Sequence, residues 1–243
     1  MLFKIIHYAT LPSSNDEAIR LASAGAPEGT VVACREQTAG KGQRNNRWVS
    51  APGENLTASL VLRPADMATD ELFLLSKAFS LAVAGTLNRY GIDASIKWPN
   101  DIYVGNRKIA GILIEQSFNG NDLGFSVIGL GLNVNQVIFP PMDITPTSMA
   151  AETGKDYFDI NEILSSTLDG FAALYKSPKE VVNRQYMEKL YRRTGYFPYK
   201  TKDGEMLIAE IFDVADSGEL VVRDKNGKLK SFLFKEIEYI IVE

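Results

Sequence analysis

Apolar and polar positions along this chain fall into blocks, and the period of each block predicts its element. Between residues 70 and 90, Leu72, Leu75, Phe79, Ala82, Val83 and Leu87 recur three or four apart, which puts them on one helical stripe, and Gly91 supplies the stop. Pro12 precedes a second helix start, with Ser14 or Asn15 as N-cap, Glu17 in the first turn, and an end at about Ala24 before Gly25. Shorter runs bounded by turn residues predict strands at 2–8, 29–35, 55–62, 94–98, 102–104, 108–115 and 125–132. Gly105-Asn106 reads as a two-residue hairpin turn. A proline-rich loop over 136–148 leads to helices at about 160–176 and 178–193. From Gly195 the pattern changes: short β-branched runs alternate with Asp203-Gly204, Ser217-Gly218 and Asn226-Gly227. That spacing predicts a small β-barrel of four or five strands after a boundary near Arg193-Thr194. The fold class is α+β.

Composition narrows the chemistry. At 243 residues the chain has room for one good core and a small second domain. A net charge of -4 argues against a dedicated nucleic-acid binder, because positive charge is confined to 41–47, 107–108 and 223–230. The single cysteine, Cys34, excludes an internal disulfide framework and a cysteine zinc site, and the single histidine, His7, excludes a histidine metal cluster and argues against a Ser-His-Asp triad. Catalysis would therefore fall to lysine, arginine, carboxylates and a hard cation. The N-terminus lacks a signal-peptide pattern, and no apolar run approaches the roughly 20 residues that span a bilayer, so the expectation is a cytoplasmic protein with no membrane partner.

One stretch follows neither period. Thr38-Ala-Gly-Lys-Gly-Gln-Arg-Asn-Asn-Arg-Trp48 gathers two glycines, three cations and a tryptophan. Gly40 and Gly42 allow close backbone approach. Lys41, Arg44 and Arg47 bring charge, and the N–H groups between the glycines line an anion concavity. With Trp48 as an apolar handle, the segment reads as a loop that closes on a phosphate-bearing ligand.

Four weaker patterns accompany it. Lys97-Trp-Pro-Asn-Asp101 marks a strand end, since Pro99 donates nothing to a ladder. Asp101 is a hard oxygen ligand of the kind Mg²⁺ shares with phosphates; a plain turn with Trp98 in the core accounts for the motif as well. In Arg107-Lys-Ile-Ala-Gly-Ile-Leu-Ile-Glu115, Gly111 weakens the strand unless something lies close against it, and Lys108 stands at the strand mouth, where a solvated lysine is the ordinary case. Gly129-Leu-Gly-Leu-Asn-Val-Asn135 lacks the helix and Lys-Ser/Thr of a phosphate loop. Its glycines suggest a face cleared for a planar ligand, with Asn133 or Asn135 to read a base edge. Ser13-Ser14-Asn15 is explained by helix capping alone, or would receive a small polar head.

In this order and spacing the five patterns together resemble the biotin–protein ligase (biotin–[acetyl-CoA-carboxylase] ligase) family, from about residue 5 to the end. The central motifs are shared with lipoate ligases, and Lys97-Trp-Pro-Asn-Asp101 favours the biotin branch. The resemblance implies a class II aminoacyl-tRNA synthetase-like mixed sheet with helices over residues 1–193 and an SH3-like β-barrel over 194–243. It implies an enzyme that joins biotin to ATP as biotinyl-5′-adenylate, with Mg²⁺ as cofactor and release of pyrophosphate. Biotin then passes to one lysine of a biotin carboxyl carrier protein domain. By motif match, Ser13, Ser14, Asn15 and Gln37 hold the ureido ring, and Gly40, Lys41, Gly42 and Gln43 form the loop that orders over the intermediate. Lys108 binds the biotin carboxylate and the adenylate phosphate, and Gly111, Gly129 and Gly131 permit close ligand approach. Asp101 lies on the Mg²⁺/ATP side; Lys41, Arg44, Trp48, Asn100 and Lys108 contact the adenylate, and Asn133 faces adenine. Lys108, Lys41 and Asp101 form the implied catalytic set.

The chain departs from the family in two places. The usual loop reads Gly-Arg-Gly-Arg, and here it is Gly40-Lys41-Gly42-Gln43. Lys41 keeps the charge without the planar fork, Gln43 loses it, and Arg44 is next in line to replace it. At the front, the chain begins with the first catalytic strand and not with a winged helix, so the expectation is a monofunctional enzyme with no DNA partner; a homodimer is left open. Two rival readings remain. A lipoate–protein ligase would share the mechanism and differ in which acid supports ATP–pyrophosphate exchange. A non-catalytic biotin-binding regulator would not need the phosphate-side charges of Lys108 and Asp101. Lys225, Lys228 and Lys230 read as solvated hairpin edges before they read as a nucleic-acid surface.

Overall fold

The structure, a computed structural model, describes residues 1–241 except 44, 45, 65, 66 and 121. The first body runs β1 (Lys4–Leu11), α1 (Ser14–Ser23), β2 (Thr30–Gln37), β3 (Leu56–Leu62), α2 (Phe73–Arg89), β4 (Ser95–Lys97), β5 (Asp101–Val104), β6 (Arg107–Asn119) and β7 (Asp122–Leu132). Three helices follow: α3 (Met149–Thr153), α4 (Ile160–Tyr175) and α5 (Lys179–Lys189). The strands form one mixed sheet in the order β1-β2-β3-β7-β6-β5-β4, with β1 and β2 parallel and the other neighbours antiparallel. Each strand expected from the sequence is present. The hairpin of β6 and β7 is longer than its apolar runs, because the ladder continues from Glu115↔Val127 out to Asn119↔Asp122.

Two helical expectations need correction. The last helix stops at Lys189, short of residue 193. Leu190 turns extended and Tyr191 follows in a turn, both side chains buried, and the Tyr191 N–H donates to the Ile96 carbonyl of β4 at 2.8 Å. The short helix α3, between the end of the proline-rich loop and the helix expected from 160, was not anticipated; Ser148 caps it by accepting from the Ala151 N–H, and Gly154 closes it at φ 69°.

Strand side chains alternate between the two sheet faces. On one face Ala58, Leu60, Leu62, Ile112, Ile128, Leu130 and Leu132 join the large core under α2 and α4. The opposite face carries Val32, Val61 and Val127 against Ala18 and Ala22 of α1. Being short, α1 covers only part of this face and leaves the rest as the floor of a cleft. The stripe expected on α2 is buried throughout, and so are Ser76, Lys77 and Ser80, because neighbouring elements wrap this helix on more than one side.

The C-terminal strands β8 (Phe197–Thr201), β9 (Met206–Val214), β10 (Leu220–Asp224), β11 (Leu229–Phe232) and β12 (Ile237–Tyr239) form a second, wholly antiparallel sheet in the order β11-β10-β9-β8-β12. The predicted turn glycines take left-handed φ: 84° at Gly204, 96° at Gly218 and 82° at Gly227. The sheet docks through polar anchors: Trp98 Nε1 donates to the Gly218 carbonyl and Lys77 Nζ to the Val214 carbonyl, each at 2.8 Å. No helix among the described residues is long and apolar enough to cross a membrane.

Candidate functional site

Register builds the cleft floor. Residues paired across a ladder share a face, and the pairings Thr57↔Gly131, Gly131↔Gly111, Gly111↔Asp101 and Asp101↔Lys97 run one row across five strands. A neighbouring row joins Ser59, Gly129 and Leu113. Over these rows lies a cleft of about 220 Å³, roofed by the start of α1 on one side and by the loop after β2 on the other.

The polar end of the cleft belongs to α1. Ser13, Ser14 and Asn15 are 2–5% exposed. The Ser14 N–H donates to Gln37 Oε1 at 2.7 Å, and the Ser14 and Ser59 hydroxyls meet at 2.8 Å. Ser59 Oγ donates to Asn15 Oδ1 at 2.5 Å, while Asn15 Nδ2 donates to Glu115 Oε2 at 2.8 Å. The capping explanation fails here: Ser13 is the N-cap and its side chain makes no cap bond, while Ser14 and Asn15 point into this network. A Cβ on Gly129 would lie 2.1 Å from Asn15 Oδ1, so this glycine makes room for the asparagine. Sequence reasoning gave Ser59 and Glu115 no role. Their signal was a polar residue interrupting an apolar strand.

The charged end belongs to the loop and to β6. Gly42 N–H donates to the Asn46 carbonyl at 2.7 Å and Trp48 N–H to the Gly40 carbonyl at 3.0 Å, folding the described part of the loop into a small antiparallel flap with Lys41 opposite Arg47. The Lys41 ammonium pairs with Asp16 in the first turn of α1, which raises its pKa. The Trp48 ring lies on Gly131, where a Cβ would come within 2.3 Å of it, and reaches Gly111, whose Cβ would also stand 3.3 Å from Lys108 Nζ. Lys108 pairs with Asp101 at 2.6 Å and lies 6.0 Å from the Trp48 ring centroid. Trp48 Nε1 is buried and has no acceptor among the described residues.

Most of the predicted site residues converge on this one cleft: Ser13, Ser14, Asn15, Gln37, Lys41, Gly42, Gln43, Trp48, Asn100, Asp101, Lys108, Gly111, Gly129 and Gly131 all line it. Gly40 does not; it is buried at the neck of the flap. Asn100 spends its amide on the Ile112 carbonyl at 2.5 Å. Asn133 lines an adjoining cavity of about 340 Å³ that also contains Trp48 and Lys108. Asn135 does not read a ligand edge, because both ends of its amide bond the Phe158 backbone, at 2.8 and 3.0 Å. Arg44 falls outside the described residues. No group of three His, Cys, Asp or Glu among the described residues could hold a metal by itself. Asp101 is the one carboxylate among the described residues lining the cleft. A hard cation there would take that carboxylate and complete its shell with phosphate oxygens and water, as Mg²⁺ commonly does. The arrangement suits a ligand with a small polar head at α1 and an anionic end at Lys108.

Comparison with known proteins follows the geometry. The Biotin/lipoate A/B protein ligase family matches residues 9–133, a little over half of the chain. The chain is 39% identical over 134 residues to the bifunctional ligase/repressor BirA of Bacillus subtilis, covering 54% of this chain and 41% of that protein. It is 29% identical over 235 residues to the biotin–[acetyl-CoA-carboxylase] ligase of Paracoccus denitrificans, covering 90% of this chain and 94% of that one. The chain spans about two fifths of the length of the first curated relatives it matches. Among solved structures it is similar to the biotin protein ligase from Aquifex aeolicus in complex with biotin and ATP, with a TM-score of 0.79 and 23% identity over 97% of each chain, a likeness of fold.

Proposed function

The chain belongs to the biotin/lipoate A/B protein ligase family, and from that premise we propose that it is a biotin–[acetyl-CoA-carboxylase] ligase. It activates biotin as biotinyl-5′-adenylate and transfers it to a lysine of a biotin carboxyl carrier protein domain. One observation carries this reading: a polar subsite at buried Ser14 and Asn15 with Gln37 beside them and a cationic subsite at Lys108 share one cleft under a tryptophan flap. We read residues 1–193 as the class II synthetase-like catalytic domain, residues 194–243 as an SH3-like domain, and the protein as a cytoplasmic enzyme.

In the first step a biotin carboxylate oxygen bonds to the α-phosphorus, and the bridge to the β-phosphate breaks with its electron pair on pyrophosphate. Two anions must meet, so charge neutralisation is the main demand. Lys108 meets it from the floor, and an incoming phosphate competes with Asp101 for its ammonium. Lys41 adds charge from the flap. Mg²⁺ bound at Asp101 would supply further charge neutralisation at the phosphates. In the second step the carrier lysine amine bonds to the acyl carbon and AMP leaves. No side-chain nucleophile of this chain takes part, which suits one with a single cysteine and a single histidine. Water would destroy the acyl-adenylate, and Trp48, lying over Gly131 and Gly111, excludes it from the floor.

The test is direct. Purified protein incubated with biotin, ATP and Mg²⁺ should retain biotinyl-adenylate in native mass spectra and catalyse biotin-dependent ATP–pyrophosphate exchange. Exchange driven by lipoate and not by biotin, or no adenylate with either acid, would overturn the reading.

A further inference from the structure

Glu115 is an acid on a strand face that is otherwise apolar at its position. It pairs across the ladder with Val127, which is 0% exposed and packs with Ala18 and Ala22 of α1. The Glu115 side chain does not line the cleft, and no cation among the described residues forms an ion pair with it. Its hydrogen bond comes from Asn15 Nδ2, at 2.8 Å. A half-buried carboxylate without a cation adds little to the fold. Its hold on Asn15 is the notable feature.

That hold gives a direction to the polar end of the cleft. Asn15 Nδ2 faces two groups that only accept: the Glu115 carboxylate and, at 3.4 Å, the Leu113 carbonyl. The amide is thereby kept from turning over, and its Oδ1 faces Ser59. Ser59 Oγ has one proton and gives it to Oδ1 at 2.5 Å. The Ser14 hydroxyl, 2.8 Å from Ser59 Oγ, must then supply the proton for their contact. Only lone pairs are left on Ser14 Oγ. Gln37 is fixed in the opposite sense. Its Oε1 takes the Ser14 N–H at 2.7 Å, so its Nε2, beside Gly40, keeps two donors that no described residue accepts. Ser14 and Gln37 both line the cleft, which therefore offers an acceptor and a donor side by side.

We propose that Glu115 is a positioning residue that sets this direction, and that the direction selects a ring bearing an N–H beside a carbonyl. This rests on the ligase reading above. In it, an N–H of the biotin ureido ring donates to Ser14 Oγ, and the ureido carbonyl accepts from Gln37 Nε2. A dithiolane ring does neither and leaves both groups unpaired. Without Glu115, only the longer bond to Leu113 holds the amide. Asn15 can then turn over, Ser59 and Ser14 reverse, and a hydroxyl proton points where the ureido N–H must dock.

Glu115→Met removes the acceptor and keeps the length of the stem, whereas Glu115→Gln can turn its amide oxygen to Asn15 and preserve the direction. In biotin-dependent ATP–pyrophosphate exchange, Glu115→Met should raise the KM for biotin about tenfold, the worth of one hydrogen bond to a charged group. The kcat should change far less, because the ring makes the same bonds before and during the reaction. Lipoate, added as a competitor, should inhibit the parent and Glu115→Met with the same Ki, since its ring meets neither polar group. Glu115→Gln should stay within about threefold of the parent KM. A biotin KM within about twofold of the parent in Glu115→Met, a lipoate Ki that rises as much as the biotin KM, or a Glu115→Gln as impaired as Glu115→Met would overturn the proposal. Should the parent show no exchange with biotin, the ligase reading fails and Glu115 is judged by calorimetric titration with biotin alone. Weaker binding by Glu115→Met than by both Glu115→Gln and the parent then sustains the proposal, and equal binding or none overturns it.

Discussion

At the scale of single residues, the proposed chemistry rests most heavily on Lys108. Its ammonium pairs with Asp101, lies under Trp48 and has a glycine cleared beside it. Lys108→Ala should lower adenylate formation by about 10²–10³ or more with the circular dichroism spectrum unchanged, the usual range for removing a preorganised electrostatic group. Near-normal pyrophosphate release would refute its role. Glu17 makes a different kind of prediction. Hydrogen bonds from the Arg20 guanidinium and the Tyr8 hydroxyl bring its carboxyl down from 4.5 to about 2. A depressed carboxylate stabilises the fold above the unfolded value and loses that contribution as pH falls toward the folded one. The urea-unfolding difference between parent and Glu17→Gln should be full at neutral pH and shrink below pH 4.5; a difference that grew on acidification would contradict the lock. Neither role was visible in local pattern. Lys108 read as a solvated lysine until its motif was set beside the others, and Glu17 read as a first-turn acid.

At the scale of elements, the flap formed by the described residues between 38 and 48 and the glycines beneath it form one device. Gly131 leaves the room that the Trp48 ring occupies, and a Cβ there would clash at 2.3 Å. Gly131→Ala should therefore displace the tryptophan, since overpacking of this kind typically costs about 1–3 kcal/mol. Tryptophan emission should shift red, and proteolysis within the flap should quicken. The chain has two tryptophans, and Trp98 is 2% exposed, so the shift reports Trp48. Unchanged emission with unchanged proteolysis would show that the ring does not rest on this glycine. The glycines at 111 and 131 led to the expectation of a planar ligand, and in the structure the flat neighbour over them is the protein's own indole. Helix α1 teaches the converse: its Ser-Ser-Asn start looked like capping, and the structure spends Ser14 and Asn15 on the cleft.

For the molecule as a whole, the union of the two sheets turns on buried polar anchors. Lys77 is 1% exposed, and its ammonium donates to the Val214 carbonyl at 2.8 Å and to Asn183 Oδ1 at 2.9 Å, with Asp216 at 3.9 Å. Lys77→Met should cost about 1–3 kcal/mol in denaturant unfolding, because the buried Val214 carbonyl and the part-buried Asn183 amide oxygen lose their donor. A variant as stable as the parent would mean that water replaces the amine. The same union brings Phe234 and Lys235 to the cleft.

Sequence alone determined the succession of strands and helices, the turn glycines of the C-terminal sheet and most of the side chains that come together in one cleft. These depend on backbone preference and side-chain period, which act over a few neighbouring residues. Tertiary structure decided the register that aligns Thr57, Gly131, Gly111, Asp101 and Lys97 in one row, the ending of α5 at Lys189, the diversion of Ser14 and Asn15 from capping, and the arrival of Lys235 beside the cleft. Such pairings join residues far apart in the chain. They are chosen by burial and hydrogen-bond satisfaction across the whole fold, which no local window contains.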